Sequence, residues 1–143
     1  MSKKLFSDRR GSISITFIGL VFFLIVLAFF IMEMGAAYEN YYDAQTILQR
    51  ACNSAVEANI LDEYRADNIL RIDTDGARAD FRSYLESDMP GKYTVTITSL
   101  EATATPPNLT ATGTVTFSTL FAQFAFDDVT FEFKVSATNY KVE

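Results

Sequence analysis

From Ile13 to Met32 the chain is an unbroken apolar run: twenty residues hold no charge, no proline and a single glycine, Gly19. Wound as a helix at ~1.5 Å per residue, such a run is about 30 Å long, the thickness of a bilayer's hydrocarbon core. It is apolar on every side, as lipid contact requires and as a buried soluble helix of this length seldom is. The pattern predicts a transmembrane helix. Nothing then stops that helix, because Gly35 to Leu61 contains no proline and no second glycine. A seven-residue repeat takes over instead. Ala37, Ala44, Ala51 and Ala58 recur at one position, and Met34, Tyr41, Leu48 and Ala55 recur three residues before it. Leu27 and Phe30 carry the register back into the apolar run, and Tyr38, Gln45, Cys52 and Asn59 lie beside it. Spacings that alternate four and three make one narrow stripe on a helix. Helix from about Ile13 to Leu61 would be about 70 Å long. The alanines let a second element approach the backbone closely, either a partner helix or the chain's own sheet.

Beyond the stripe the pattern changes twice. Asp62, Glu63, Arg65, Asp67 and Arg71 make the stretch from Leu61 to Asp73 polar, a short helix or an ordered connection. Asp73 or Thr74 can cap a second helix over about Gly76 to Asp88, with Phe81, Tyr84 and Leu85 on one face. Met89-Pro90-Gly91 ends it. From Lys92 the period falls to two: Tyr93, Val95 and Ile97 alternate with threonines, a half-buried strand. After the turn Thr105-Pro106-Pro107-Asn108, Leu109 to Phe117 forms a second strand, where Gly113 marks a bulge or a close backbone approach. Phe121 to Phe126 is a further strand candidate. Following Asp127-Asp128, Val129, Phe131, Phe133, Val135 and Ala137 alternate in a last strand. The expected fold is α+β. A long N-terminal transmembrane helix continues into an external domain with a second helix and a three- or four-stranded antiparallel sheet, and the long helix covers its apolar face. Residues 1–11 form a basic leader, 12–34 the membrane helix, 35–61 its external continuation and 62–143 the external domain.

Charge orients this arrangement. Lys3, Lys4, Arg9 and Arg10 against Asp8 give the first eleven residues a net charge of +3, while the rest of the chain, with eight basic and seventeen acidic residues, carries −9. The positive-inside rule therefore places the N-terminus in the cytoplasm and the acidic domain outside. An external face of that charge argues against nucleic acid as a partner. Histidine is absent, which removes the commonest general base and metal ligand. Cys52, the one cysteine, excludes an internal disulfide. It reads as a small buried residue beside the alanine stripe, with a bridge to another chain as the alternative. No serine or threonine stands in a motif that would activate it, so neither a catalytic site, a cofactor, a metal nor a small-molecule substrate is expected. A secretory signal is the rival reading of the N-terminus: its apolar core is shorter, about 7–15 residues, and Gly35-Ala36-Ala37 would serve as its cleavage site.

Three stretches carry a family likeness: Arg10-Gly11-Ser12-Ile13-Ser14-Ile15 opening the span, Met32-Glu33-Met34-Gly35 closing it, and Leu48-Gln49-Arg50-Ala51-Cys52-Asn53-Ser54-Ala55 further on. With the order of long helix, second helix and threonine-rich strands, they resemble the TadE/TadG-like proteins, small pilin-related subunits of tight-adherence pilus systems. The third stretch looks like that family's Leu-Gln-x-Ala-x-x-x-Ala element, and the likeness covers roughly residues 9–61. It implies a pilin-like fold held in the bacterial cytoplasmic membrane, with the lipid bilayer and other pilin-like subunits or pilus assembly components as partners. It also implies a possible cut by a prepilin-type peptidase after Gly11, leaving Ser12 first. Many relatives carry glutamate at the fifth position after the cut, and here that position is Thr16. Threonine cannot pair in lipid with a neighbour's new terminal amine as the acid can. The departure favours an uncut, TadG-like protein.

Glu33, at the outer end of the span, can reach headgroups and water or pair with a base on another subunit. Asp73-Thr74-Asp75-Gly76 begins like a calcium loop, but its glycine comes too early and Tyr84 stands where the bidentate glutamate belongs, so a helix cap is expected. Asn108-Leu109-Thr110 fits a glycosylation acceptor, a triplet common by chance. Asp127 and Asp128 alternate sides and make no carboxylate pair. The expected function is structural: contacts through Ala37, Tyr41, Ala44, Leu48, Ala51 and Ala55, made with another subunit or with the chain's own domain, and through a sheet edge. A main filament subunit and a single-pass external ligand-binding module are the alternatives.

Overall fold

The computed structural model describes residues 9–61, 69–119 and 127–139, with side chains from Ile13 onward. By its internal contacts the chain divides into two units, Met1–Ala36 and Ala37–Glu143. Helix α1, Arg9–Ala58, begins in the first and ends in the second. In the first unit nearly every large apolar side chain from Ile13 to Met34 is exposed. This stretch is long and apolar enough to cross a membrane.

The second unit is a three-stranded antiparallel sheet covered by helices. Strands β1, Tyr93–Thr103, β2, Asn108–Phe117, and β3, Val129–Thr138, lie in the order β1-β2-β3. Each alternates, as period-two sequences must: Leu109, Ala111, Val115 and Phe117 of β2 are buried and Thr110, Thr112, Thr114 and Thr116 are half-buried on the opposite face. Helix α2, Thr74–Asp88, buries Ala77, Phe81 and Leu85. The residues of α1 that complete this core are Ala44, Leu48, Ala51, Cys52, Ala55 and Val56, with Ala37 and Tyr41 packed at its margin. Ala44, Ala51 and Ala55 add little bulk to this core, and Leu48 is the largest side chain that α1 buries fully in it. The result is the expected α+β layout: a long apolar N-terminal helix, a second helix and an antiparallel sheet of three strands among the described residues. The proposed strand Phe121 to Phe126 lies outside those residues.

Element ends differ from expectation for local reasons. Helix α1 stops at Ala58 rather than near Leu61, because Ile60 forms a bridge with Ile72 and the Leu61 amide donates to the Arg71 carbonyl at 2.9 Å. Helix α2 starts two residues earlier than read, at Thr74: Asp73 is its N-cap and accepts from the Asp75 amide at 3.1 Å. Gly113 marks an irregularity that lies in the opposite strand. The β1–β2 register slips between Ile97 and Ser99, and a Cβ at Gly113 would fall 2.1 Å from the Thr96 carbonyl oxygen.

Candidate functional site

Of the stripe, Ala37 to Ala55 lie in the second unit, while Met34 is exposed in the first and Ala58 is exposed at the helix end. Ala44, Leu48, Ala51 and Ala55 are buried against the chain's own sheet and second helix, and Ala37 and Tyr41 are half-buried. Tyr41 packs on Phe131 of β3 with the rings tilted by 52° and their centroids 5.0 Å apart. Phe131 in turn meets Phe117 at 5.8 Å, and Phe117 meets Tyr93 edge-on at 5.9 Å. A row of four aromatic rings thus closes one end of the helix–sheet interface, in the offset and edge-on arrangements that rings prefer. Cys52 sits in the same interface, fully buried, with its thiol 3.2 Å from the Leu109 carbonyl oxygen. Burial pushes its pKa from 9.0 to about 11, so it is a protonated core residue at neutral pH.

A polar cluster beside the aromatic row joins residues that no pattern along the chain relates. Tyr93 Oη donates to the Asp43 carboxylate at 2.7 Å and lies 3.2 Å from Asn40 Oδ1. Lys92 Nζ donates to Asn40 Oδ1 at 3.0 Å, stands 3.7 Å from Asp43 and lies 4.7 Å from the centroid of the Tyr93 ring. Burial raises the Tyr93 phenol above its ordinary value, and the Asp43 carboxylate adds to the shift while Lys92 opposes it. The cluster pins the start of β1 to the first exposed turns of α1 in this unit. Its available signal was position: Asn40 and Asp43 each flank a stripe residue. At the other end of the interface, Asn59 donates to Asp80 at 2.8 Å and to the Ala55 carbonyl at 2.9 Å, while the Asp73 amide donates to the Asn59 carbonyl at 3.0 Å. The start of α2 is thereby tied to the end of α1. A Cβ at Gly76 would fall 2.1 Å from Asn59 Oδ1, so a larger residue there would displace the Asn59 side chain from its present bonds.

The other sequence candidates are scattered. Gly11 and Ser12 lie in the first turn of α1, and Glu33 is half-buried in the first unit. The acids of Asp73-Thr74-Asp75-Gly76 serve the helix start, Asp73 as cap and Asp75 paired with Arg78 at 2.9 Å. Asn108 opens β2 and donates to Ser136 and Thr138 across the strand pair, at 3.2 and 2.8 Å. Asp128 accepts from Ser118, and Asp127 stands exposed beside it. Within the second unit, the partners of Asp73, Asp75, Asn108 and Asp128 are local to the start of α2 and to the strand ends, away from the aromatic row.

The described geometry defines a small α+β domain assembled around the end of a helix whose other part is apolar and exposed. No family model, curated protein or solved structure matches the chain.

Proposed function

We propose that this chain is a membrane-anchored, non-enzymatic structural protein: a pilin-like, TadE/TadG-like component of a pilus assembly or secretion system. One observation carries the reading. A single helix supplies both an exposed, all-apolar stretch of membrane-crossing length and six residues of the core of the domain that follows. Such a domain is tethered to the membrane by one of its own structural members rather than by a linker. A soluble enzyme or carrier has no need of that construction, whereas a subunit that must transmit lateral forces between lipid and an external assembly does. The basic leader supports a cytoplasmic N-terminus and an external domain.

Ala44, Leu48, Ala51 and Ala55 of the stripe are covered by the chain's own sheet and second helix, so contacts with other subunits fall to the exposed side of α1, the apolar span and the sheet edges. N-terminal sequencing of the mature protein tests the anchored form directly. A start at Met1 or Ser2 supports the uncut anchor, a start at Ser12 supports peptidase processing, and a start near Tyr38 overturns the anchored reading in favour of a released domain. Shearing of the cell surface separates an assembly component from a main filament subunit, because a main subunit would dominate the sheared material.

A further inference from the structure

Two tyrosines immediately beyond the apolar stretch are left out of the core. Tyr38 and Tyr42 are 67% and 61% exposed, large for aromatic residues beside a packed interface, and their rings stack at 6.2 Å between centroids. They line a concavity on the second unit together with Glu39, Asp43 and Lys92. Tyr41, between them in sequence, turns the other way onto Phe131. Tyr38 is the fourth residue after Met34, the last exposed apolar residue of the first unit. Four residues reach at most about 14 Å in any conformation. With hydrocarbon ending near Met34, Tyr38 is therefore within reach of the headgroup layer, which adds roughly 5–7 Å on each side of the hydrocarbon, and Tyr42, four residues further along the chain, follows at its outer margin. Tyrosine is favoured at that depth because its ring is apolar and its hydroxyl wet.

We infer that Tyr38 and Tyr42, with Glu39, Asp43 and Lys92, form a lipid-facing surface that seats the external domain on zwitterionic phospholipid headgroups. The inference rests on the membrane-anchored reading. The chemistry of the surface selects the lipid. Stacked phenol rings and two carboxylates attract an ammonium group, and the ring faces add a cation–π attraction. Lys92 supplies the one cation among those five residues, suited to the headgroup phosphate. Two acids against one base disfavour a layer of purely anionic lipid.

The chain contains no tryptophan, so a single introduced tryptophan reports its own surroundings. The full chain would be reconstituted in phosphatidylcholine vesicles carrying a spin label on the headgroup or deep in the acyl chain, with Phe23→Trp, Tyr38→Trp, Tyr42→Trp and Glu57→Trp made singly. Tyr38→Trp and Tyr42→Trp are expected to lose emission to the headgroup label, Phe23→Trp to the deep label, and Glu57→Trp to neither. Quenching of Phe23→Trp with Tyr38→Trp and Tyr42→Trp untouched overturns this inference and leaves the anchored reading standing. No quenching at Phe23→Trp overturns both. Vesicles rich in phosphatidylglycerol are expected to weaken headgroup quenching of Tyr42→Trp, and a Glu39→Gln background to restore it. Equal quenching in both lipids would overturn the headgroup preference. Because both tyrosines are exposed, their replacement leaves the core intact, and an unchanged proteolytic pattern verifies this in the same samples.

Discussion

At the scale of single residues, the least tolerant positions are those where two backbones nearly touch. Gly113→Ala would drive a Cβ to 2.1 Å from the Thr96 carbonyl oxygen and 3.0 Å from Ile97 Cα, both main-chain atoms that cannot rotate away. The expected destabilisation is about 3 kcal/mol, the upper end of overpacking costs. Urea unfolding of the full chain in detergent measures it, and a loss below about 1 kcal/mol would show that the β1 irregularity relaxes freely. Cys52 gives the fold a pH signature. Its folded thiol holds a proton up to about pH 11, whereas an exposed thiol releases it near 9.0. The unfolded chain ionises first as pH rises, so this contribution is whole below about pH 9 and is lost progressively towards about pH 11. Tyr93, raised by burial, acts in the same sense. Cys52→Ala should therefore flatten part of the alkaline loss of stability, and identical pH slopes for the two proteins would refute the assignment.

At the scale of elements, α1 in the second unit is a core helix, and its contribution can be tested at both ends of its contact with the sheet. Leu48 is fully buried in the core that α1 shares with the sheet and α2. Leu48→Asp places an unpaired carboxylate there and should cost about 3–5 kcal/mol, enough to undock the helix from the sheet. Limited proteolysis reports the outcome, since cleavage within β1–β3 should become rapid; unchanged resistance would remove the helix from the core. Tyr93→Phe is a milder cut. It removes the hydrogen bond to Asp43 but keeps the ring edge-on to Phe117, so a loss of about 1 kcal/mol is expected. These elements differ in how plainly the chain announces them. The alternation in β1, β2 and β3 and the cap at Asp73 are local signals, and they locate the strands and α2 to within a few residues. The stripe is equally visible, yet its spacing leaves open whether a partner helix or the chain's own sheet covers it. Only the long-range pairing of α1 with β2 and β3 decides that. The Asn40–Asp43–Lys92–Tyr93 cluster joins residues some fifty positions apart, and no period in either segment predicts it. Gly113 carries a true signal at one remove, because a glycine that accommodates a bulge need not belong to the bulged strand.

At the scale of the whole molecule, the division into two units makes a sharp prediction about where the chain can be cut. Residues 62–143 alone would lack Ala44, Leu48, Ala51, Cys52, Ala55 and Val56, which close the apolar side of a three-stranded sheet. A small sheet with one bare apolar face is marginal in water. Expression from Asp62 onward should therefore yield aggregated or unfolded protein. Expression from Ala37 onward keeps every core residue among the described residues, all of which lie at or after Ala37. That fragment should be soluble and cooperative in unfolding, with the aromatic row intact and the alkaline sensitivity of Cys52 retained. Circular dichroism melts of the two fragments side by side check this. A folded fragment starting at Asp62 would mean that the sheet carries its own cover and α1 is an accessory. An unfolded fragment starting at Ala37 would mean that the domain requires the apolar stretch before it in order to fold. Between those failures lies the expected result, in which the helix is cut close to Ala36 with little loss of fold and cannot be removed after Leu61 without losing it.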